Sequence, residues 1–365
     1  MDKKLIGGTV NCPNCGGHMK HKLGTHSLIC AYCDSETEIN IRDENIEELD
    51  YDSSAQIILD AESQPVEPLQ DTVKALFVAC SNCGAACSVV DDITSFACPY
   101  CTTPMVVEDA VEETVINPKS LLPFTIDEQG SKSSMKAWCK AQWFAPNKFK
   151  NGEITYDNIT PVYIPYWTFD MKTHTNYVGQ RGDYYYVRVG SGKNRGRECR
   201  TRWSSPRNGE HDSAFDDILV VGSKSIPYKF VYKLEPWDLK KLIPFDKRLL
   251  LGILTEKYSV DLVSARGVSE TRAEDVVRTE IKQRIGGDEQ RINEMQVEYS
   301  NVTYKHILLP LYLCAYKYKD KLYQSFINAR TGEVHGDRPY SGVKIAIAVI
   351  IGLLIGYGIY LLARN

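Results

Sequence analysis

The chain has 365 residues, 43% of them hydrophobic and 25% charged, which is ordinary globular composition and enough for two or three folded units. Its formal net charge of −4 hides a split: residues 1–117 hold 6 Lys and Arg against 20 Asp and Glu, whereas residues 118–340 hold 35 against 27. Twelve cysteines would suit a secreted disulfide scaffold, but Met1 to Val10 has no apolar run behind its lysines, so a signal peptide is not expected and the paired cysteine spacing points to metal in a reducing compartment.

The first predicted unit, residues 1–40, carries Cys12, Cys15, Cys30 and Cys33 as C-x2-C-x14-C-x2-C. The pattern returns in residues 73–116 as Cys80, Cys83, Cys98 and Cys101, each 68 positions after its counterpart. Two residues between thiolates let a tight turn aim both sulfurs at one ion, and two such turns on facing hairpins complete a tetrahedral shell. Gly16 and Gly84 follow the second ligand of each first turn, where a residue without Cβ lets the backbone fold around the sulfur. These units are read as duplicated zinc ribbons with one structural Zn2+ each; rubredoxin-like iron and a dithiol redox centre are the alternatives. Four protein ligands leave no open position for substrate, and in so small a unit the metal supplies much of the folding energy. Cys87, whose counterpart is Met19, reads as a core thiol, and His18, His21 and His26 as surface or packing residues.

Residues 41–72 form an acidic linker, with Glu47, Glu48, Asp50 and Asp52 exposed to solvent in this reading and Ile57 to Leu59 as its one continuous apolar patch. A docking strip for a basic partner is the alternative. A head of this charge repels phosphates, which makes nucleic acid an unfavourable partner for the ribbons.

Residues 117–340 turn aromatic and basic and are expected to form an α+β body. Thr125 and Glu128 have capping-box spacing ahead of a helix through Met135, Trp138, Ala141 and Gln142 that stops before Pro146. Val162 to Asp170 and Tyr177 to Val189 read as strands. After them comes a basic loop with Lys193, Arg195, Arg197, Arg200 and Arg202. It lacks the phosphate-loop spacing, so it is a solvated hairpin tip or a contact for anions such as lipid head groups. Asp217 to Lys233 reads as two strands and Glu235 to Asp238 as a turn. A helix is expected from Val260 to Ile285, ended by Gly286 and Gly287, and strands from Glu294 to Val334 with turns at Lys319 to Lys321 and Thr331-Gly332. Leu308 to Tyr312 (LLPLY) echoes Tyr163 to Trp167 (YIPYW), which suggests two diverged halves.

Residues 343–362 are expected to be a transmembrane tail anchor, since Ile345 to Leu362 contains no charge and reaches roughly 27 Å as a helix. Lys344 before the span, with Tyr357 and Tyr360 near its end, suits the two interfaces. Ala348, Gly352 and Gly356 recur every fourth residue and offer a stripe for helix association, hence a homo-oligomer. The expected location is a cell inner membrane, crossed once, with the bulk of the chain cytoplasmic.

No H-E-x-x-H, G-x-S-x-G, Walker loop or helix-opening G-x-G-x-x-G occurs in the sequence, so an enzyme is not expected. Cys139, Cys199 and Cys314 read as core or incidental thiols, and His174, His211, His306 and His335 are scattered. Asp170 with Asp216 and Asp217 read as turn-forming acids, a carboxylate pair in a cleft being the alternative.

Paired CxxC ribbons, LLPF at 121–124, FAP at 144–146, YIPYWTFD at 163–170, EPWD at 235–238, GGD at 286–288, LLP at 308–310, NARTGEV at 328–334 and one terminal helix together resemble a family of bacterial membrane-anchored zinc-ribbon proteins. Its members are often labelled primosomal replication helicase-like, yet this sequence lacks the ATP-binding loop that a helicase motor requires. The resemblance implies a cytoplasmic-face protein with membrane-stress or flotillin-like membrane partners. The expected function is a membrane-tethered zinc-binding adaptor or scaffold that presents its ribbons to proteins; the alternative is nucleic-acid binding through the basic body.

Overall fold

In the computed structural model, which describes residues 9–41, 44–56, 72–89, 94–151, 159–190 and 196–364, the chain opens on a three-stranded antiparallel sheet. Its strands are β1 (Met19–Lys22), β2 (Ser27–Cys30) and β3 (Glu36–Glu38). A two-residue strand β4 (Leu49–Asp50) and a helical stretch α1 (residues 51–56) follow. In the second unit β5 (Thr72–Ala79) lies between β6 (Ala86–Ser88) and β9 (Val111–Ile116), while β7 (Ser95–Ala97) pairs with β8 (Pro104–Val106).

The body begins with β10 (Ser120–Leu121), α2 (Glu128–Ala141) and α3 (Asn147–Lys150). Next comes β11 (Ile159–Val189), a strand of 31 residues, then β12 (Gly196–Trp203) and β13 (Arg207–Val221). After α4 (Tyr228–Leu234), β14 (Ile243–Pro244), β15 (Leu254–Thr255) and α5 (Leu262–Ile285), the chain forms β16 (Glu289–Tyr318), which is 30 residues long. The final elements are β17 (Lys321–Asn328), β18 (Val334–Gly336) and α6 (Gly342–Arg364). Among the described residues, ten strands join one sheet around the antiparallel β11–β16 pair, to which β4 also adds itself. The chain is therefore α+β, with two small four-cysteine units, an aromatic-rich body and one terminal apolar helix.

Strand β11 runs buried on both faces from Val162 to Phe169 and then alternates: Met171, Thr173, Thr175 and Tyr177 turn inward, and Lys172, His174 and Asn176 turn outward. Helix α5 covers the inward face. Its buried stripe is Leu262, Ala265, Ser269, Ala273, Val277 and Ile281, whose small members let the helix close on the sheet, while Val263 and Val276 face solvent. Asp261 Oδ1 accepts from the Ser264 N–H at 2.7 Å to start α5, and Gly286 ends it at φ +67°.

The two echoing motifs turn out to be partners, with Tyr163 opposite Pro310 and Pro165 opposite Leu308 on adjacent central strands. Both prolines use their carbonyls on the outer side of the pair, Pro165 accepting from Gly222 at 2.8 Å and Pro310 from Ala329 at 3.2 Å. Since a strand residue's N and O point the same way, each missing N–H falls outside the shared ladder and leaves the β11–β16 rungs intact.

Three sequence expectations change. The strands Val162–Asp170 and Tyr177–Val189 are one element, because Lys172, His174 and Asn176 between them are the outward half of an alternation whose inward half includes the buried Thr173 and Thr175. Tyr228–Leu234 is helical, not a strand: Phe230, Val231 and Leu234 supply a buried i, i+1, i+4 face. Asp127, not Thr125, caps α2, its Oδ1 accepting from the Gly130 N–H at 2.7 Å.

Neither small unit stands apart from the body. Met19, Leu28 and Ile39 of the first share a core with Phe124, Met135 and Leu249, and the His21 N–H donates to the Leu251 carbonyl at 2.9 Å. Val78, Tyr100 and Met105 of the second share another with Ile164, Tyr166 and Phe230. In the stretch read as an acidic linker, Glu47 pairs with Lys119 at 3.0 Å and Tyr51 packs against Phe169, while Asp43, Asp71 and Ile57 to Leu59 lie outside the described residues.

Candidate metal centres

The four sulfurs of Cys12, Cys15, Cys30 and Cys33 lie within 4.8 Å of one another, as do those of Cys80, Cys83, Cys98 and Cys101. Cys12 and Cys33 approach to 3.7 Å and Cys15 and Cys30 to 3.5 Å; in the second set Cys80 and Cys101 are 3.4 Å apart and Cys83 and Cys98 3.6 Å. A tetrahedron with metal–sulfur bonds of about 2.3 Å has edges of about 3.8 Å, so both sets fit one ion, and none of these separations is a disulfide bond.

Backbone turns aim the thiols. In each of the four knuckles the amide of the residue after the second cysteine donates to the first cysteine's carbonyl: Gly16 to Cys12 at 2.9 Å, Asp34 to Cys30 at 3.1 Å, Gly84 to Cys80 and Thr102 to Cys98 at 2.9 Å. All four donors take left-handed φ, from +55° at Asp34 to +77° at both glycines. Only the glycines announced this in the sequence; Asp34 and Thr102 are held there by their turns.

Hydroxyls support the thiolates. Ser35 Oγ lies 3.0 Å from Cys12 Sγ and 2.9 Å from Cys33 Sγ, and its hydrogen bond lowers both thiols, Cys33 to about 6. Burial pushes the Cys101 thiol up, but the Thr103 hydroxyl and amide outweigh it and bring Cys101 to about 6. Ser35 and Thr103 occupy equivalent positions two residues after the last ligand, a correspondence visible in the duplicated pattern.

No family model and no solved structure matches this chain. It is 25% identical over 360 residues to a Bacillus subtilis protein described as uncharacterized protein YdjG, covering 93% of this chain and 92% of that one.

Cys87 is fully buried beside the second centre and bridges to Glu256. Of the first unit's histidines, His21 is buried with Nε2 2.9 Å from the Thr25 carbonyl. Of the basic residues, Arg197, Arg200 and Arg202 lie on β12 opposite Arg188, Tyr185 and Asp183 in a two-stranded ribbon, while Lys193 and Arg195 lie outside the described residues. Arg200 pairs with Glu198 at 3.2 Å and Arg202 stacks on Tyr185 at 5.0 Å.

Asp170 and Asp217 do meet, around a lysine that sequence reasoning passed over. Lys305 Nζ lies 2.9 Å from Glu48 Oε1, 2.9 Å from Asp217 Oδ1 and 4.0 Å from Asp170 Oδ2, with the lysine side chain 9% exposed. Burial raises the Asp170 carboxyl to about 6 although the Asp217 amide donates to it. A second trio, Ser213, His211 and Glu280, has catalytic residue types but not a relay: Ser213 Oγ and His211 Nε2 both bond Glu280 Oε2, at 2.6 and 2.8 Å. A base would need its two ring nitrogens on opposite partners. The trio ties β13 to α5.

Helix α6 is long and apolar enough to cross a membrane, and none of its residues is buried. Gly352 and Gly356 face open space, whereas Ala348 lines a groove beside Phe144 and Tyr340, so the stripe's first position is partly covered by the body. Lys344 does not reach outward; its Nζ donates to the Ala145 carbonyl at 2.7 Å.

Proposed function

We propose that this protein is a membrane-tethered, zinc-stabilised adaptor or scaffold without catalytic activity of its own. The observation that carries the reading is that two closed four-thiolate sets are packed into the same body from which an unburied apolar helix departs. A saturated tetrahedral shell supplies folding energy and rigidity but no vacant position, which favours one structural Zn2+ per set. Helix α6 serves as a single-pass anchor in a cell inner membrane, with the body on the cytoplasmic face and other membrane proteins, such as those of a stress-response or flotillin-like assembly, as partners.

Because the ribbons share cores with the body, the presented surface is the assembled body rather than a pair of free heads. Crosslinking of native membranes followed by mass spectrometry tests the reading. The expected result is a membrane-protein partner joined to the full chain and lost from a chain ending before Gly342. Crosslinks to soluble proteins alone would overturn it.

One observation favours a second reading. The β11–β12 ribbon places Tyr184 and Tyr186, both exposed, beside Arg188 and Arg197, and a two-stranded ribbon of this kind enters a major groove. Nucleic-acid affinity that falls steeply with salt would support it; no binding at low ionic strength would end it.

A further inference from the structure

Trp143 is 74% exposed, although its neighbours Gln142 and Ala145 in the same turn are buried. That turn holds the start of α6: the Ser341 N–H donates to the Phe144 carbonyl at 2.8 Å, and Lys344 Nζ bonds the next carbonyl, that of Ala145. Tyr340, 60% exposed, sits at the same level and carries Arg338 against its ring at 5.4 Å. Phe144 and Tyr340 together with Ile345, Ala348 and Val349 line an apolar groove of 360 Å³ between body and helix.

The charge along this stretch of the chain is one-sided. Residues 129–151 contain five lysines, Lys132, Lys136, Lys140, Lys148 and Lys150, and no acid. Lys132, Lys136 and Lys140 recur every fourth residue as an exposed stripe of α2 that leads to Trp143. None of the five forms an ion pair with a described residue. An exposed indole and phenol at the foot of an apolar helix, flanked by unpaired ammonium groups, match the depth preferences of the bilayer interface.

We infer that the corner of α2 and α3 is a second membrane contact: Trp143 and Tyr340 rest at head-group depth, Phe144 meets the acyl boundary along α6, and the lysines face anionic phosphates. The occupant is lipid because one wall of the groove is α6 itself, so the medium that surrounds the helix reaches Phe144 as well. The inference rests on reading α6 as a membrane span. It adds that the body lies on the bilayer in one orientation instead of swinging from its anchor.

The full chain reconstituted into vesicles of bromine-labelled phosphatidylcholine and phosphatidylglycerol tests this. Flotation comes first, and failure to float would overturn the anchor itself. In floating samples, bromines near the head groups should quench the Trp143 emission, and bromines deep in the acyl chains should quench it less. That quenched component should vanish in Trp143→Phe. The double change Lys136→Glu and Lys140→Glu should reduce quenching on phosphatidylglycerol-rich vesicles to the level seen on phosphatidylcholine alone. A chain that floats while Trp143 stays unquenched, whether facing water or a second copy, overturns the contact, and quenching that ignores the charge reversal overturns the role of the lysines.

Discussion

Tyr100, in the last knuckle of the second metal unit, donates its hydroxyl to Glu256 Oε2, a carboxylate 156 residues later that is 2% exposed. Glu256 Oε1 accepts from Ser223 at 2.7 Å and from Ser225 at 2.5 Å, so one buried acid is held by two hydroxyls from a single loop of the body and one from the second four-cysteine unit. Burial raises its carboxyl above the ordinary range. Tyr100→Phe keeps the ring and removes the donor, and should cost about 1–3 kcal/mol in chemical denaturation while both metal ions stay bound. Loss of metal together with stability would mean that the hydroxyl supports the cluster instead.

Metal content gives a separate check. The full chain should hold two ions by elemental analysis, and Cys15→Ser or Cys83→Ser should leave one, since each removes a ligand from a different set. Binding at such sites is worth on the order of 10 kcal/mol, and both sets share cores with the body, so chelation should abolish cooperative thermal unfolding of everything ahead of α6. An unchanged melt after complete removal of metal would rule out a structural role.

Lys305→Ala leaves Glu48, Asp170 and Asp217 together without their cation in a half-buried site and should destabilise the fold by about 1–3 kcal/mol at neutral pH. The pH dependence has a definite sign. Asp170 titrates at about 6 in the fold against about 3.9 unfolded, so the native state binds the extra proton between these values, and this group's contribution to stability falls as pH rises through that window. Asp170→Asn, which keeps an acceptor for the Asp217 amide, should flatten the slope of stability between about pH 4 and 6. An unaltered slope would assign the titration elsewhere.

Ending the chain before Gly342 should release it from membranes without a change in melting temperature beyond a degree or two, because no residue of α6 is buried. The carbonate-washed membrane fraction and a thermal melt read the two effects separately.

Gly352→Ile fills a position where a Cβ meets no atom of the chain, so it should not disturb the monomer. Crosslinked dimer recovered from membranes should decrease several-fold if the Gly352 and Gly356 face packs against a second copy. Unchanged dimer yield would remove that face from consideration.

The sequence made local features legible and distant ones not. Cysteine spacing located both metal sets to the residue, and apolar periodicity located α2 and α5, because each of these signals repeats within a turn or two. The left-handed Asp34 and Thr102 were hidden because their conformation is imposed by the knuckle, not by residue type. Tyr228–Leu234 looked like a strand because aromatic and β-branched residues dominate it, and packing on β17 and β18 overrode that preference. The Lys305 cluster unites residues up to 257 positions apart, and nothing in either neighbourhood marks the other. The cores that the ribbons share with the body were hidden for the same reason, since they join residues far apart in the sequence.

Strand β11 starts opposite Cys314, near the end of β16 whose Tyr316 hydroxyl bonds the Asp337 carbonyl just ahead of α6, and it finishes at the Arg188 and Val189 tip. Its 31 residues span at most roughly 100 Å without a break in the chain direction. A tug on that tip would load the β11–β16 rungs in shear, all at once instead of one by one, since antiparallel rungs run across the pull. Force applied at one extremity would therefore arrive at the foot of α6 largely undamped, as through a stiff boom.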